Sequence, residues 1–295
     1  MKKILFNKKI CIKDSKGFKL KNYKPSETLH YKNEDSLKKE LDGHKESISI
    51  LQEKLYAQNK YSVLIVLQAI DAAGKDSCIK HVLTGVNPQG CHVVNFKQPS
   101  KEELNHDFLW RCNRLLPERG KIAVFNRSYY EEVLVTKVHP EFILGQSLPG
   151  IHSVNNIDRK FWKNRYKSIN DMERHLVKNG TVIIKVFLNM SKDEQKNRFL
   201  DRINDPDKNW KFKTDDLKER KLWTAYQKAF EEMIRETSTK QAPWHVVPSD
   251  NQWVSRAVVG DILLETLESL KLKYPVLSKA EKDLLLQGKT ELEAE

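Results

Sequence analysis

A loop near residue 70 combines residue types that could bind phosphate. The sequence Gln68-Ala-Ile-Asp-Ala-Ala-Gly-Lys-Asp-Ser77 directly follows a short apolar run. The small residues Ala72, Ala73 and Gly74 let backbone N–H groups approach an anion closely, and a helix that begins near Lys75 adds the positive end of its dipole. Because Lys75 also supplies a point charge for bridging phosphate oxygens, the spacing predicts a P-loop.

The loop departs from the usual P-loop pattern, GxxxxGK[ST], at two positions. Ala69 stands at the first glycine, and Asp76 stands at the serine or threonine that binds magnesium. An ordinary tight turn with a Gly-Lys pair would have a similar composition, so both interpretations stay open at this point. The acids Asp71 and Asp76 disfavour an ordinary ATPase loop and leave room for metal ligands or a proton acceptor.

A second group of polar residues follows the third apolar run of the chain. Asn126, Arg127 and Ser128 come at its end, and Glu131 and Glu132 follow. In open α/β sheets, ligands bind beyond the carboxyl ends of the strands. Arg127 could therefore bind phosphate bidentately, and Glu131 or Glu132 could hold a magnesium ion through oxygen. The alternative is that these residues cap the next helix and pair with nearby lysines.

A charged segment that begins at Ser191 is predicted to form a helix. Ser191 and Glu194 match the S-x-x-E capping box. Arg198 and Arg202 lie four residues apart and therefore project from one face of this helix. A phosphoryl-transfer enzyme closes such a face over the charge that develops during transfer, whereas the alternative is a solvated surface. We expect a helical lid at about residues 191–220.

The segments between these motifs predict the fold that positions them. Short apolar runs rich in β-branched residues predict buried strands at residues 61–67, 91–96, 121–125, 181–188 and 245–247. Amphipathic stripes predict helices at residues 37–55, 162–176 and 222–233. Thr214 is the expected N-cap of the last of these helices. Strands that alternate with helices predict an α/β fold with a central parallel sheet.

Composition narrows the class of protein. The chain of 295 residues is long enough for one large domain or two small ones. It has only 11 glycines and 10 prolines, which excludes collagen-like and mostly disordered chains. Its longest apolar run is far shorter than the ~20 residues that a membrane helix needs. The four cysteines show no metal-ligand spacing and indicate reduced thiols in a cytosolic protein.

Charge is distributed unevenly along the chain. The formal net charge of +12 favours a polyanionic partner, such as nucleic acid, an anionic membrane or a phosphate-rich substrate. Residues 1–30 hold nine lysines against two acids, and we expect a basic N-terminal arm that is solubilising or contacts another subunit. Residues 276–295 are expected to form a loosely attached tail. Residues 31–275 then remain as a single domain.

Five ordered segments resemble the family-2 polyphosphate kinases. The resemblance extends from about residue 21 to residue 275, which is nearly the whole chain. It rests on Leu67-Gln-Ala-Ile-Asp-Ala-Ala-Gly-Lys-Asp-Ser77, Gly85-Val-Asn-Pro-Gln-Gly90, His106-Asp-Phe-Leu-Trp-Arg111, Phe125-Asn-Arg-Ser-Tyr-Tyr-Glu-Glu132 and Asp205-Pro-Asp-Lys-Asn-Trp-Lys-Phe212.

The resemblance implies both a fold and an activity. The fold is a three-layer α/β/α P-loop kinase fold similar to that of thymidylate kinase, with a central parallel sheet and a helical lid. The activity is phosphoryl transfer between inorganic polyphosphate and a nucleotide with Mg²⁺, for which Mn²⁺ can substitute. The resemblance further implies a homo-oligomer. Independently of it, we expect a cytoplasmic protein with neither a membrane nor a specific nucleic acid as partner.

The resemblance also implies roles for individual residues. Asp71 falls on an aspartate assigned to metal binding or to orienting the acceptor phosphate, and Lys75 falls on the lysine that holds phosphates. Arg127 matches the arginine after the third strand, and Arg198 and Arg202 match lid arginines. The expected phosphate and nucleotide site consists of Ala72, Ala73, Gly74, Lys75, Asp76, Ser77, Lys80, Asn126, Arg127 and Ser128.

Two departures from the family pattern qualify these roles. Many members have aspartate where this chain has Asn126, so a metal ligand is missing; Glu131, one helical turn on, could restore the carboxylate. Many members have glycine at Ser77, where the small hydroxymethyl group should do little harm. The Asn-Arg-Ser-aromatic-Tyr-Glu segment resembles the branch called class III. That resemblance implies that AMP and ADP, and also GMP and GDP, accept phosphate, with ATP as a product.

Two other functions remain as alternatives. An ATP-dependent nucleoside monophosphate kinase could have the same fold, although Ala69 and Asp76 make its P-loop incomplete. A non-enzymatic binder of polyanions could use the net positive charge. The sequence lacks a basic stripe with interleaved aromatics, a zinc pattern and a helix-turn-helix signature, so the binder is the weaker alternative.

Overall fold

The computed structural model describes residues 9–29, 31 and 33–295. The strands in this part of the chain are β1 (Cys11–Ile12), β2 (Ser62–Ala69), β3 (Cys91–Asn95), β4 (Ile122–Asn126), β5 (Thr181–Asn189) and β6 (Trp244–Pro248). They form one six-stranded sheet in the order β1-β6-β5-β2-β4-β3. The five strands predicted from apolar runs are confirmed, and β1 is an addition.

Helices follow most of the strands. The α-helices of the described residues are α1 (Glu34–Gln58), α2 (Lys75–Val82), α3 (Lys101–Leu104), α4 (Trp110–Asn113), α5 (Glu131–Val138), α6 (Arg159–Lys178), α7 (Lys192–Asn204), α8 (Thr214–Lys221), α9 (Trp223–Thr237), α10 (Gln252–Ser269) and α11 (Lys279–Glu293). Short 3-10 helices cover Leu20–Asn22, Pro88–Gly90, Pro140–Gln146, Val154–Asn156 and Pro206–Lys211.

The central strand β2 brings the first polar loop to the middle of the sheet. It pairs in parallel with β4 on one side and with β5 on the other, and β3 and β6 extend the parallel sheet at either end. Consecutive residues of β2, whose side chains point to opposite faces, are fully buried at Val63 and Leu64. Helices therefore cover both faces, as the α/β/α prediction requires.

The helices pack in two groups. In one group α10 packs against α1 and α2, and in the other α9 packs against α5 and α6. Within the described residues, no helix is both long and apolar enough to cross a membrane. All four cysteines are described and are free thiols, and burial raises the pKa of Cys78 and Cys112 to about 12.

Residues 9–29 of the expected basic N-terminal arm pack on the sheet edge and the core. β1 pairs antiparallel with the outer edge of β6, and Phe18 and Leu20 are buried in the core. The backbone N–H of Leu20 donates to the Glu231 carboxylate at 2.8 Å. Apolar residues placed between the lysines thus hold this segment on the sheet edge. Residues 1–8 of the expected arm lie outside the described residues.

Two helix boundaries also differ from expectation. Thr214 is the first residue of α8 rather than an N-cap, and Lys213 precedes it with extended backbone. The helical pattern does not continue to α9, because the chain leaves helical geometry at Leu222. Residues of the expected tail form α11, whose leucines, such as Leu284, are largely exposed.

Candidate active site

A cavity of about 730 Å³ lies at the carboxyl ends of β2, β3 and β4. The loop that joins β2 to α2 lines one wall, and α7 with the segment after it lines another. The cavity therefore lies where a parallel α/β sheet binds ligands. The sequence motif at residues 68–77 and the expected lid meet at this cavity.

Left-handed backbone shapes the two strand ends that meet at this cavity. Ala72 has a φ of +67° and Arg127 a φ of +62°, which costs about 1–3 kcal/mol for a residue with a side chain. Gly74, with a φ of +95°, is the N-cap of α2 and adopts this conformation without that penalty. Strain at two neighbouring strand ends is typical of a site whose geometry is fixed by function.

Lys75 lies folded over its own loop. Its Nζ donates to the backbone carbonyl of Ala69 at 3.0 Å and to that of Ile70 at 3.4 Å. Burial and the nearby Arg127 lower the pKa of Lys75, although Asp71 and other acids oppose the shift. The ammonium group is thus hydrogen-bonded to backbone carbonyls of its own loop, which a phosphate group could replace.

Asp71 and Arg127 form an ion pair between the ends of β2 and β4. The Nη2 of Arg127 donates to the Asp71 carboxylate at 2.7 Å. Burial opposes the charged form of Asp71, but Lys75, Arg127 and Arg202 together lower its pKa. Burial would lower the pKa of Arg127, but Glu131 and Asp71 raise it. Both groups are therefore charged near neutral pH.

Glu131 lies in the first turn of α5, behind this ion pair. Oriented to satisfy both ends of its amide, Gln68 donates to the Glu131 carboxylate at 2.8 Å and accepts from the backbone N–H and the hydroxyl of Ser128. Burial raises the pKa of Glu131, and Arg127 and Lys75 oppose the shift. Glu131 is not among the residues that line the cavity. Ser128 is fully buried and binds Gln68 rather than facing a ligand.

Asn126 connects the ends of β3 and β4 to the first turn of α2. Its Nδ2 donates to the Asp76 carboxylate at 2.5 Å and to the Asn95 side-chain oxygen at 2.7 Å. Its own side-chain oxygen is buried and has no hydrogen-bond partner among the described residues. Asp76, which replaces the P-loop hydroxyl, is thus held by an amide donor.

Arg198 fastens the P-loop to two other segments. Its guanidinium donates to the carbonyl oxygens of Ala72 and Asp250 at 3.1 Å and 3.0 Å, and also to that of Ser249. Its Nε donates to Glu194 at 2.7 Å, so the expected capping box of α7 forms only through the Ser191 side chain. Arg198 lines the cavity, but its N–H groups already donate to the backbone carbonyls and to Glu194.

Arg202 is less tightly held than Arg198. Its Nη1 lies 3.6 Å from the Asp216 carboxylate and donates to the carbonyl of Lys211 at 3.4 Å. The segment after α7 adds further cations to this wall of the cavity, namely Lys208, Lys211 and Lys213. Trp210, beside them, is 76% exposed. The expected lid thus presents these four cations to the cavity.

Some expected residues lie elsewhere, and others were not predicted. Lys80 is exposed on α2 and does not line the cavity. Ser77 lines it, but its hydroxyl accepts from Arg256 on α10 at 2.5 Å. Sequence reasoning missed Arg256 and also Lys97, which lines the cavity after β3. No local motif marks Arg256. Lys97 could have been found, because it directly follows the strand predicted at residues 91–96.

A buried network supports the strand end from behind. The hydroxyls of Tyr129 and Tyr130 both donate to one oxygen of Glu173, at 2.8 Å and 2.7 Å. Lys185 is fully buried and donates to the other Glu173 oxygen at 2.6 Å and to the Thr237 carbonyl at 2.7 Å. Tyr129 and Tyr130 lie between Arg127 and Glu131 in the sequence, so this network fixes the segment that carries both site residues.

The oxygen donors of the cavity fit a magnesium ion shared with a substrate. Asp71 supplies a carboxylate, and Asn126 supplies the unpartnered side-chain oxygen. Mg²⁺ is usually bound through one or two carboxylates and the phosphates of the substrate rather than by a cage of protein ligands. Glu131, the second expected ligand, is bound to Gln68 instead.

Comparison with known proteins identifies relatives over almost the whole chain. The model of the family described as Polyphosphate kinase 2 (PPK2) matches residues 31–275. The chain is 51% identical over 247 residues to an ADP-polyphosphate phosphotransferase of Rhodopseudomonas palustris, and the match covers 84% of each chain. It is 40% identical over 281 residues to an AMP/ADP-polyphosphate phosphotransferase of Meiothermus ruber, covering 95% of this chain and 100% of the relative.

A solved structure agrees with these sequence relatives. The crystal structure of polyphosphate kinase 2 from Arthrobacter aurescens TC1 superimposes with a TM-score of 0.84 at 38% sequence identity. The superposition covers 94% of this chain and 95% of the other. The P-loop kinase-like fold expected from the sequence is thereby confirmed.

Proposed function

The chain belongs to the polyphosphate kinase 2 family, and we propose that it moves a terminal phosphate between inorganic polyphosphate and nucleoside mono- and diphosphates. One observation carries this proposal. Four acidic side chains line the cavity around the P-loop, against eight cationic ones. The cationic side chains are those of Lys75, Lys97, Arg127, Arg198, Arg202, Lys208, Lys211 and Lys213. A chain of identical phosphate units needs charge of this kind rather than base-specific contacts.

Transfer requires a charged, well-positioned cavity more than covalent chemistry. The transition state of phosphoryl transfer is loose and spreads charge over the transferred group. Lys75 of the P-loop and Arg127 after β4 hold the phosphates on either side of the bond that breaks. Arg202 and the lid lysines approach from the opposite wall and neutralise the charge that develops. Arg198 acts by fixing the Ala72 carbonyl and with it the P-loop.

A divalent metal belongs to this reaction, and Mg²⁺ is proposed, with Mn²⁺ as a substitute. When bound, the ion neutralises phosphate charge and orients the phosphate oxygens. Asp71 is its proposed protein ligand, with the side-chain oxygen of Asn126 beside it. Glu131 is proposed to act through its charge on Arg127 and Lys75, since Gln68 already binds its carboxylate.

Both AMP and ADP are proposed as acceptors. The cavity of about 730 Å³ is large enough for a nucleotide to bind one phosphate unit deeper or shallower. GMP and GDP are proposed as further acceptors, and a homo-oligomer as the working state. We also propose that the enzyme works in the cytoplasm, in keeping with its free thiols and nucleotide substrates.

The proposed organisation has three parts. Residues 31–275 form the kinase domain, and residues 191–220 its lid. Residues 276–295 form a tail, in which α11 is exposed. Residues 1–30 precede the domain, and residues 9–29 of that segment pack on it.

The test is an assay of purified protein with long-chain polyphosphate, Mg²⁺ and AMP, ADP, GMP or GDP in separate reactions. Products are separated by ion-exchange chromatography. ADP from AMP and ATP from ADP are expected. Product from ADP alone would overturn the dual-acceptor proposal, and product only when ATP replaces polyphosphate would indicate a nucleoside monophosphate kinase.

A further inference from the structure

Three metal-ligating side chains converge between α1 and α10, on elements that the proposed reaction does not use. Glu40 and His44 come from α1, and Asp261 comes from α10. The His44 Nε2 lies 3.0 Å from an Asp261 oxygen and 3.9 Å from a Glu40 oxygen. All three ligand atoms lie within 4.8 Å of one another, and the described residues contain no second group of this kind.

The sequence positions of these residues suit a shared ligand. Glu40 and His44 are four residues apart, so their side chains project from one face of α1. Gly260, the neighbour of Asp261, lets the two helices approach; a Cβ there would lie 3.0 Å from the Nδ1 of His44. The imidazole ring is therefore confined between the helices.

Burial and charge also favour a divalent cation. The side chains of His44 and Asp261 are only 4% and 1% exposed, whereas that of Glu40 is 29% exposed and opens the group to solvent. Two carboxylates balance the charge of a divalent ion when the imidazole is neutral.

A neighbouring hydroxyl orients the aspartate. Tyr31 donates to the second oxygen of Asp261 at 2.7 Å, which directs the first oxygen toward His44. Outer hydrogen bonds of this kind are typical of ligands in metal sites. In a four-coordinate zinc site, bonds of about 2.0–2.2 Å place ligand atoms about 3.4 Å apart. The two observed separations lie on either side of that value.

We propose that Glu40, His44 and Asp261 bind one divalent transition-metal ion of the zinc class, with water completing its coordination. The imidazole nitrogen distinguishes this site from the all-oxygen Mg²⁺ site proposed at the cavity, because imidazole favours Zn²⁺ over Mg²⁺. The ion joins α1 to α10, the helix that also carries Gln252 and Arg256 toward the cavity. The proposal is independent of the proposed function.

The experiment uses the full chain after removal of metals with a chelator. Zn²⁺ is titrated by calorimetry in the presence of saturating Mg²⁺, and Co²⁺ is titrated by its visible absorption. We expect one saturable site per chain and a higher Tm with Zn²⁺. His44→Gln and Asp261→Asn should each weaken Zn²⁺ binding at least 100-fold.

Two further variants keep the test decisive. Glu40→Gln changes the partly exposed ligand, is expected to fold, and should weaken binding about 10-fold. Glu34→Gln removes an exposed acid of the same helix that pairs with Lys38, and it should bind Zn²⁺ like the unaltered protein. Absence of a saturable site, or equal affinity in Glu40→Gln and the unaltered protein, would overturn the proposal and identify the group as an ordinary hydrogen-bonded cluster.

Discussion

The guanidinium of Arg127 lies 2.7 Å from the carboxylate of Asp71, and this ion pair joins the ends of two adjacent parallel strands. The proposed reaction requires different partners for both residues, since Arg127 is proposed to bind phosphate and Asp71 a metal ion. Substrate and metal therefore compete with an existing contact. Their binding is expected to be cooperative, because each releases the partner that the other needs.

The first prediction concerns the two P-loop residues with proposed roles. Lys75→Ala and Asp71→Asn should each lower kcat at least 100-fold with polyphosphate, because Lys75 supplies positive charge to the transferred phosphate and Asp71 supplies the carboxylate proposed to bind the metal ion. Far-ultraviolet circular dichroism should stay unchanged. Lys80→Gln, on the exposed side of α2, is the matched control and should keep its activity. Substantial turnover by either loop variant at saturating Mg²⁺ would disprove the role given to that residue.

The second prediction separates the two lid arginines. Arg202→Gln should lower kcat about 100-fold and change the free energy of unfolding by less than about 0.5 kcal/mol. Arg198→Gln should also lower the free energy of unfolding by about 2 kcal/mol or more, since it leaves three backbone carbonyls without a charged donor. Urea denaturation and steady-state kinetics measure both quantities. Equal stability of the two variants would contradict the positioning role of Arg198.

The third prediction concerns the buried pair behind the site. Lys185→Met should lower the free energy of unfolding by about 3–5 kcal/mol, because it leaves Glu173 charged and buried without its cation. Lys218→Gln changes an exposed ion pair on α8 and should leave the free energy of unfolding nearly unchanged, because solvent screens this pair. Urea denaturation of both variants provides the comparison. A loss of less than about 1 kcal/mol in Lys185→Met would show that the pair does not stabilise the fold.

The fourth prediction is a loss of stability in mild acid through His245. Burial lowers the pKa of His245 to about 4, and its Nδ1 lies 3.1 Å from the Lys185 carbonyl. The unfolded chain binds this proton below about pH 6.5, so protonation between pH 6.5 and about 4 favours unfolding. This residue should contribute a loss of up to about 1.4 kcal/mol per pH unit in that range.

Denaturation at pH 7, 6 and 5 measures this effect. His245→Gln should flatten the dependence of the unfolding free energy on pH, whereas His152→Gln, at an exposed position, should leave it unchanged. A slope that is identical in all three proteins would assign the acid sensitivity to other groups.

The sequence predicts a strand most reliably where the strand's own residues determine that it is buried. The run at residues 61–67 is apolar throughout, so its burial on both faces follows without knowledge of its neighbours. β1 could not be found in this way, because its two residues become a strand only by pairing with β6. In the same way, the helix break at Leu222 has no local sign such as glycine or proline.

In the candidate site, too, some residues could be predicted from local sequence and others depend on packing between distant segments. Asp71 and Lys75 follow β2 and Arg127 follows β4, so the parallel pairing of these two strands brings together residues that the sequence already placed beyond strand ends. Ser128 belongs to the same motif, yet its side chain turns inward to Gln68. Arg256 reaches Ser77 from a helix far along the chain, and only the packing of α10 against α2 reveals it.

The pairing of β1 with β6 has a consequence for how the molecule can be shortened. The family model starts at residue 31, so a fragment cut at that point would lose β1 and expose the backbone donors and acceptors along the outer edge of β6. Uncovered edges of this kind recruit strands from other molecules. The unit that folds cleanly is therefore longer at its beginning than the unit that sequence comparison recognises, and affinity tags or fusion partners belong upstream of β1.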